Sequence, residues 1–176
     1  MKKTALLIII VLLLSLTSCA KLTAEDMRFY VVDADALSTS MSDGEVIKTA
    51  KSQGRLVFDG NDIIGYNWKT HTVMLREEAV TSVGTVTEQS GGSALFKVDD
   101  THAFVFVLGN TLIYTGGFEQ GSKNPNVPMQ PYIKDKTRYS FVIGFDSKYA
   151  DGKDNRSNAK LYSFLEDSGM LSSKTE

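Results

Sequence analysis

The chain predicts an α+β domain: a mainly antiparallel sheet with a few helices packed against it. Three observations carry that prediction. Residues 103–108 (AFVFVL) are continuously apolar, the pattern of a strand buried on both faces. Gly109-Asn110 follows as a two-residue turn able to take left-handed φ, and Thr111–Thr115 returns as the second arm of a hairpin. Ser42 and Glu45 stand three apart as a capping-box pair, opening a helix over 42–53 that Gly54 is placed to end. Strand and helix signals then mix without the regular alternation of βαβ units.

The remaining elements follow in order. Arg28–Asp33 (RFYVVD) places aromatic and β-branched residues in series and reads as the first strand. Leu56–Phe58 is a short strand. The turn-rich Asp59-Gly60-Asn61-Asp62 sets Asp62 to cap a single helical turn carrying Ile63, Ile64 and Tyr66. Thr72–Leu75 reads as a strand, Arg76–Val83 as a short helix and Thr85–Ser93 as a polar loop. Pro125, Pro128 and Pro131 fall three apart, as in a stiff polyproline II connection. Tyr139–Phe145 alternates, with Tyr139, Phe141, Ile143 and Phe145 on one face. A helix over Asn155–Glu166, N-capped by Asp154, closes the domain and buries Leu161, Phe164 and Leu165.

Ahead of this domain the chain has the tripartite form of a cleaved export signal. Met1-Lys2-Lys3 is basic, Ala5–Leu14 is an unbroken apolar run, and small residues lead to Cys19. The run falls well short of the ~20 residues a spanning helix needs. Leu16-Thr17-Ser18-Cys19 fits the lipobox, and the pattern resembles the signals of bacterial lipoproteins. That resemblance implies a diacylglyceryl group on the Cys19 thiol, loss of residues 1–18 and further acylation, of the palmitate kind, at the new amino terminus. Two or three buried chains, at ~0.8 kcal/mol per methylene, hold a protein on a membrane almost permanently. An ordinary secretory signal with an incidental cysteine, or an uncleaved shallow anchor, are the alternatives. The organisation is then signal peptide 1–18, lipidated tether 19–27, one globular domain 28–171 and a tail 172–176. Ala20, not Asp, follows the cysteine; the lipoprotein sorting rule then favours the outer membrane in a two-membrane cell. In a one-membrane cell the domain faces outward.

Removing 18 of 176 residues leaves 158, enough for one domain with a real core. Loss of Lys2 and Lys3 takes the 19 basic residues to 17 against 21 acidic ones, a formal charge of −4. Nucleic-acid binding calls for a clustered basic stripe, so it is excluded as a function class. With Cys19 the only cysteine, no disulfide can form, and stability must come from apolar burial and hydrogen bonds.

Chemistry-bearing motifs are sparse. His71 and His102 lie 31 positions apart with no ligand-spaced partners, so neither a zinc site nor any other metal or cofactor is expected. The only thiol belongs to the anchor, and neither G-x-S-x-G nor S-x-x-K occurs. The carboxylate pairs Asp33/Asp35 and Asp99/Asp100 read as strand-end and turn residues. The stretch 151–156 (DGKDNR) lacks the order and closing glutamate of an EF-hand.

Three segments carry a second likeness. They are DIIGYNWKTHTVML, holding Asp62, Tyr66, Trp68, His71 and Leu75; Phe104–Phe118, with its apolar strand and Ile113-Tyr114; and Asp154-x-Arg156 ahead of the last helix, then Gly169-Met170-Leu171. Together they resemble a group of small bacterial lipoproteins with no assigned activity. The resemblance implies shared architecture and surface anchoring, and imports no substrate. It singles out Asp62, Tyr66, Trp68, His71, Asp154 and Arg156 as candidates to line one ligand-binding cleft. The structural alternative makes Asp62 and Asp154 caps, Tyr66 and Trp68 core, and Arg156 a salt-bridge partner. The expected function is a membrane-anchored, non-enzymatic envelope interaction protein, with an envelope protein as partner. A small-ligand binding module and a cell-envelope hydrolase are the alternatives.

Overall fold

The apolar runs of 27–33 and 103–108 become neighbouring strands of one sheet, nine-stranded among the described residues. In chain order the elements are β1 (Met27–Asp33), α1 (Asp43–Gln53), β2 (Arg55–Asp59), β3 (Ile63–Asn67), β4 (Thr72–Leu75), α2 (Glu77–Val83), β5 (His102–Leu108), β6 (Thr111–Gly117), β7 (Tyr132–Thr137), β8 (Ser140–Gly144), α3 (Ala159–Asp167) and β9 (Leu171–Ser172). The computed structural model describes residues 21–83, 95–96, 98–99, 101–118, 131–137, 139–146, 154 and 156–172. The export signal with Cys19, the 85–93 loop, Asp100, Pro125, Pro128 and residues 151–153 lie outside the described residues.

The strand order is β2-β1-β5-β6-β7-β8-β4-β3-β9. Neighbours are antiparallel except β6–β7 and β3–β9. With three helices, among the described residues, beside a mainly antiparallel sheet, this is the α+β class that the sequence predicts.

The sheet curls over its own face. Phe29 of β1 stacks on Phe58 and Phe104 in the flanking strands, with centroids 4.7 and 5.3 Å away. It also meets Phe141 of β8 at 5.7 Å. β8 is four places along the order from β1, so a flat sheet would hold them roughly 19 Å apart. Only a closed-over sheet brings those rings together, and Phe96 fills the space between them. The opposite face of β1 and β5 carries Tyr30, Val32, Ala103, Val105 and Val107, which pack against Val46, Ile47 and Ala50 of α1. Both faces of these strands are therefore covered, which is why residues 103–108 show no alternation.

Local chemistry sets the element ends. Ser42 accepts from the Glu45 amide and the Glu45 carboxylate accepts from the Ser42 amide, forming the capping box ahead of α1. Gly54 ends α1 with φ −79°, so left-handed backbone is not the reason for glycine there. A Cβ would instead sit 2.5 Å from the Ala50 oxygen and 2.7 Å from Val32 Cγ1. In the β5–β6 hairpin Gly109 takes φ 63°, and its amide donates to Asp26 O at 2.8 Å.

Two expectations are corrected. Residues 63–66 form β3, not a helical turn, and the cap belongs to Asp59, which accepts from the Asn61 amide before a 3₁₀ turn over Gly60–Asp62. The last helix begins at Ala159, with Asn158 accepting from the Lys160 and Leu161 amides; Asp154 does not cap it. The strand β7 is absent from the sequence reading, because YIKDKT presents little apolar alternation. Asp33 ends β1 and Asp35 lies in a 3₁₀ turn over Ala34–Ala36, the strand-end and turn placement read from the sequence. The chain joins the core before residue 28, since Met27 opens β1 fully buried and Leu22 packs against the core.

Backbones come close together at Gly116, where a Cβ would collide with the Pro131 carbonyl oxygen and the Phe104 ring. Gly44, in the first turn of α1, has open space around it. Gly116→Ala is predicted to destabilise by about 1–3 kcal/mol, and Gly44→Ala to stabilise by about 0.5 kcal/mol. Urea unfolding followed by the fluorescence of the single tryptophan, Trp68, measures both. Unchanged midpoints would contradict the packing described here.

Candidate functional site

The β3–β4 connection and the segment before α3 bring five of the six candidate residues together. Tyr66 lies on β3, and Trp68 begins the turn into β4. His71 ends that turn with φ 50°, a left-handed conformation that non-glycine residues rarely adopt. The conformation folds the imidazole inward, leaving the residue 5% exposed. Its Nδ1 lies 3.0 Å from the Tyr66 hydroxyl, which lies 3.4 Å from the Tyr114 hydroxyl on β6. With Tyr114 donating to Tyr66 and Tyr66 donating to Nδ1, both buried phenol protons are used. The reverse order would leave the Tyr114 proton without an acceptor among the described residues.

Arg156 approaches from the other side. Its Nε and Nη2 donate to the two Asp154 carboxylate oxygens at 2.9 and 2.6 Å, and its Nη1 donates to Ile143 O at 3.0 Å. The guanidinium carbon lies 5.3 Å from the Phe145 ring centroid. The Ile143 amide donates to His71 O at 2.9 Å. One residue of β8 is thus held on both sides, by the histidine backbone and by the arginine. Trp68 leans over the group, with centroids 5.9 Å from Tyr66 and 5.5 Å from His71, and meets Tyr162 of α3 edge-on at 5.0 Å.

Asp62 stands apart from this assembly. Its carboxylate accepts from the Asp59 amide at 2.9 Å, and its carbonyl accepts from the Arg76 amide at 2.8 Å, so it fastens the turn before β3. Tyr114 and Tyr162, by contrast, were not among the six. Neither has a local signal, since each reaches the cluster through the sheet order or the docking of α3.

The electrostatics follow from burial. Burial, followed by the Arg156 charge and against the Asp154 charge, pushes the His71 pKa down to about 4 from its usual 6.5. Burial pushes Tyr66 up to about 12, against the Tyr114 hydrogen bond and Arg156. Tyr114 is raised still more firmly, by burial and by Tyr66. The Arg156 hydrogen bonds hold Asp154 below the usual carboxylate range. At neutral pH the group is a neutral Tyr-Tyr-His chain beside a satisfied ion pair. Among the described residues no three His, Cys, Asp or Glu side chains converge as a metal site would need.

His102 belongs to a separate surface group. It opens β5 with Nδ1 2.9 Å from Asp99 Oδ1 and Nε2 3.8 Å from Asp33 Oδ1. Thr101 donates to Asp99 through both its amide and its hydroxyl. These hydrogen bonds, with that of His102, lower the Asp99 pKa to about 2.

Comparison of the chain with protein-family models, with curated proteins and with solved structures finds no match.

The His71 shift sets an acid limit. Between pH 6.5 and about 4 the unfolded chain protonates this histidine and the folded protein does not, so stability is full above 6.5 and declines as pH falls through 4. The loss is on the order of 2–3 kcal/mol. His71→Asn, which tolerates left-handed φ, is predicted to flatten that decline in unfolding curves between pH 7.5 and 4.5. An identical decline in the variant would assign it to other groups. Arg156→Ala is predicted to raise the His71 pKa toward 6.5 in an NMR titration. Arg156→Lys keeps the charge, loses the planar fork, and is predicted to leave His71 low while costing about 1–2 kcal/mol of stability.

Proposed function

We propose that this chain is an exported bacterial lipoprotein, anchored through acylated Cys19, whose domain acts by non-enzymatic interaction within the cell envelope. The anchor reading rests on the basic start, the short apolar run and the lipobox of residues 16–19. No helix among the described residues is long and apolar enough to cross a membrane.

One observation carries the non-enzymatic reading: the candidate chemistry is directed inward. Tyr66 is fully buried and His71 5% exposed, and the Tyr66 hydroxyl is engaged by both His71 Nδ1 and the Tyr114 hydroxyl. A general base works best with a pKa near the operating pH and within reach of substrate. His71, near 4 and enclosed, meets neither condition. The arrangement serves instead to lock β3, β4, β6 and β8 to the segment before α3. What remains for the outside is shape and surface, which is what an interaction domain uses.

Two measurements test the two halves of this reading. Cys19→Ser is predicted to abolish acyl mass on the amino-terminal peptide and to move the protein out of the membrane fraction; unaltered fractionation and mass would overturn the anchor. Crosslinking of intact envelopes, followed by affinity capture of the full chain, is predicted to recover a reproducible protein partner. Repeated recovery of the uncomplexed monomer alone would overturn the interaction role.

A further inference from the structure

The start of the described chain lies against α3 and forms a groove with it. Leu22 and Ala24 make one wall, and Ser163, Phe164 and Ser168 make the other. Lys21, Lys160 and Asp167 complete its lining. The spacing of Lys160, Phe164 and Ser168 sets them on one side of the helix, so a single face of α3 lines the trough. Its volume is about 320 Å³. A neighbouring depression of about 450 Å³ shares Ala24 and Ser168 and continues past Gly60 to Ile64, which is 57% exposed.

Two facts identify an occupant. The first is reach: Cys19 is two residues from Lys21, so its Cα lies within roughly 7 Å of that of a residue lining the groove. The second is chemistry: Leu22, Ala24 and Phe164 offer an apolar trough, and Lys21 and Lys160 also line it, the Lys160 ammonium donating to Thr111 Oγ1 on β6. That combination suits an alkyl chain ending in an ester or amide carbonyl. Leu22 packs on the core and the capped turn at Thr23–Asp26 follows at once, which leaves little slack between anchor and body.

We infer that this groove seats one acyl chain carried by Cys19 of the same molecule. The inference rests on the lipoprotein reading of Cys19. At about 320 Å³ the trough is near the lower end of the ~300–1,000 Å³ span of ligand pockets, so it takes part of one chain and leaves the others to the bilayer. One seated chain orients the body: the end bearing Ile64 and the carboxyl end of α3 faces the lipid.

The test uses the full chain, made in a bacterium fed a fatty acid with a terminal diazirine and irradiated in its own membranes. The expected product is a monomer-sized crosslink joining the Cys19 peptide to residues 160–168 or 21–24. Ser163→Trp, which fills the groove from an exposed position, is expected to reduce that product at least fivefold; Gln53→Trp, on exposed α1, is expected to leave it unchanged. Acyl mass on Cys19 with crosslinks only elsewhere would overturn the inference and leave the anchor standing. A phospholipid adduct in the groove, in place of the Cys19 peptide, would overturn it by naming membrane lipid as the occupant. Absence of acyl mass on Cys19 would overturn the anchor and this inference together.

Discussion

Everything in this structure depends on covering β1 and β5 twice. Both strands are apolar on both faces, and a sheet face left in water would expose Phe29, Phe104 and Phe106 on one side or Val32, Val105 and Val107 on the other. α1 covers the second set. The first set shares its core with Val80 of α2 and Leu161, Phe164 and Leu165 of α3, and the sheet itself covers much of it by bending until β8 lies over β1. A cluster of phenylalanine rings at 4.7 to 6.2 Å fills the interior so formed, adding aromatic pairing to the burial of their area. The close passage of Gly116 beneath Pro131 follows from the same bend, because β6 must turn toward β7 through a single parallel pairing, Gly117 with Tyr132.

The buried polar group at the far end of the sheet answers a different demand. Tyr66 and Tyr114 come from strands separated in the order by β7, β8 and β4, and their hydroxyls meet inside the curled sheet. Hydroxyls buried without partners cost free energy, so the meeting point requires an acceptor. A neutral imidazole supplies one, from His71, which is buried and held at a left-handed φ of 50°. Arg156 then has two roles that share one geometry. It satisfies the Ile143 carbonyl, and its charge disfavours protonation of the histidine that the tyrosines need neutral. Asp154 keeps that cation from standing in a poor medium alone.

Much of the local structure was legible in the chain. The capping box at Ser42, strand 72–75 and the hairpin turning at Gly109 depend on residues within a few positions of one another. Where local rules failed, a distant neighbour had overruled them. Residues 63–66 have a plausible helical turn in sequence, yet their backbone groups are claimed by β4 and β9. Asp154 has the look of a cap, but a bidentate partner two residues on holds it, and Asn158 takes the cap. β7 has no apolar signature because its place is set by the β8 ladder, not by the burial of its own side chains in alternation.

The candidate site divides in the same way. The likeness in residues 62–75 and 154–156 selects five side chains that do converge, but residue type alone does not say that Asp62 turns away toward Asp59 and Arg76. Nor does it reveal Tyr114, which enters only because β6 faces β3 across the bend. By itself, then, the sequence determined the fold class, the element chemistry and the expectation of a lipid-bearing terminus. These rest on periodicity and on short motifs whose parts are covalent neighbours. The tertiary structure alone decided that the sheet closes, that a histidine becomes a buried acceptor, and that a groove opens between residues 21–24 and α3. Each of those depends on groups far apart in sequence and close in space, a proximity set by packing and not by any local rule.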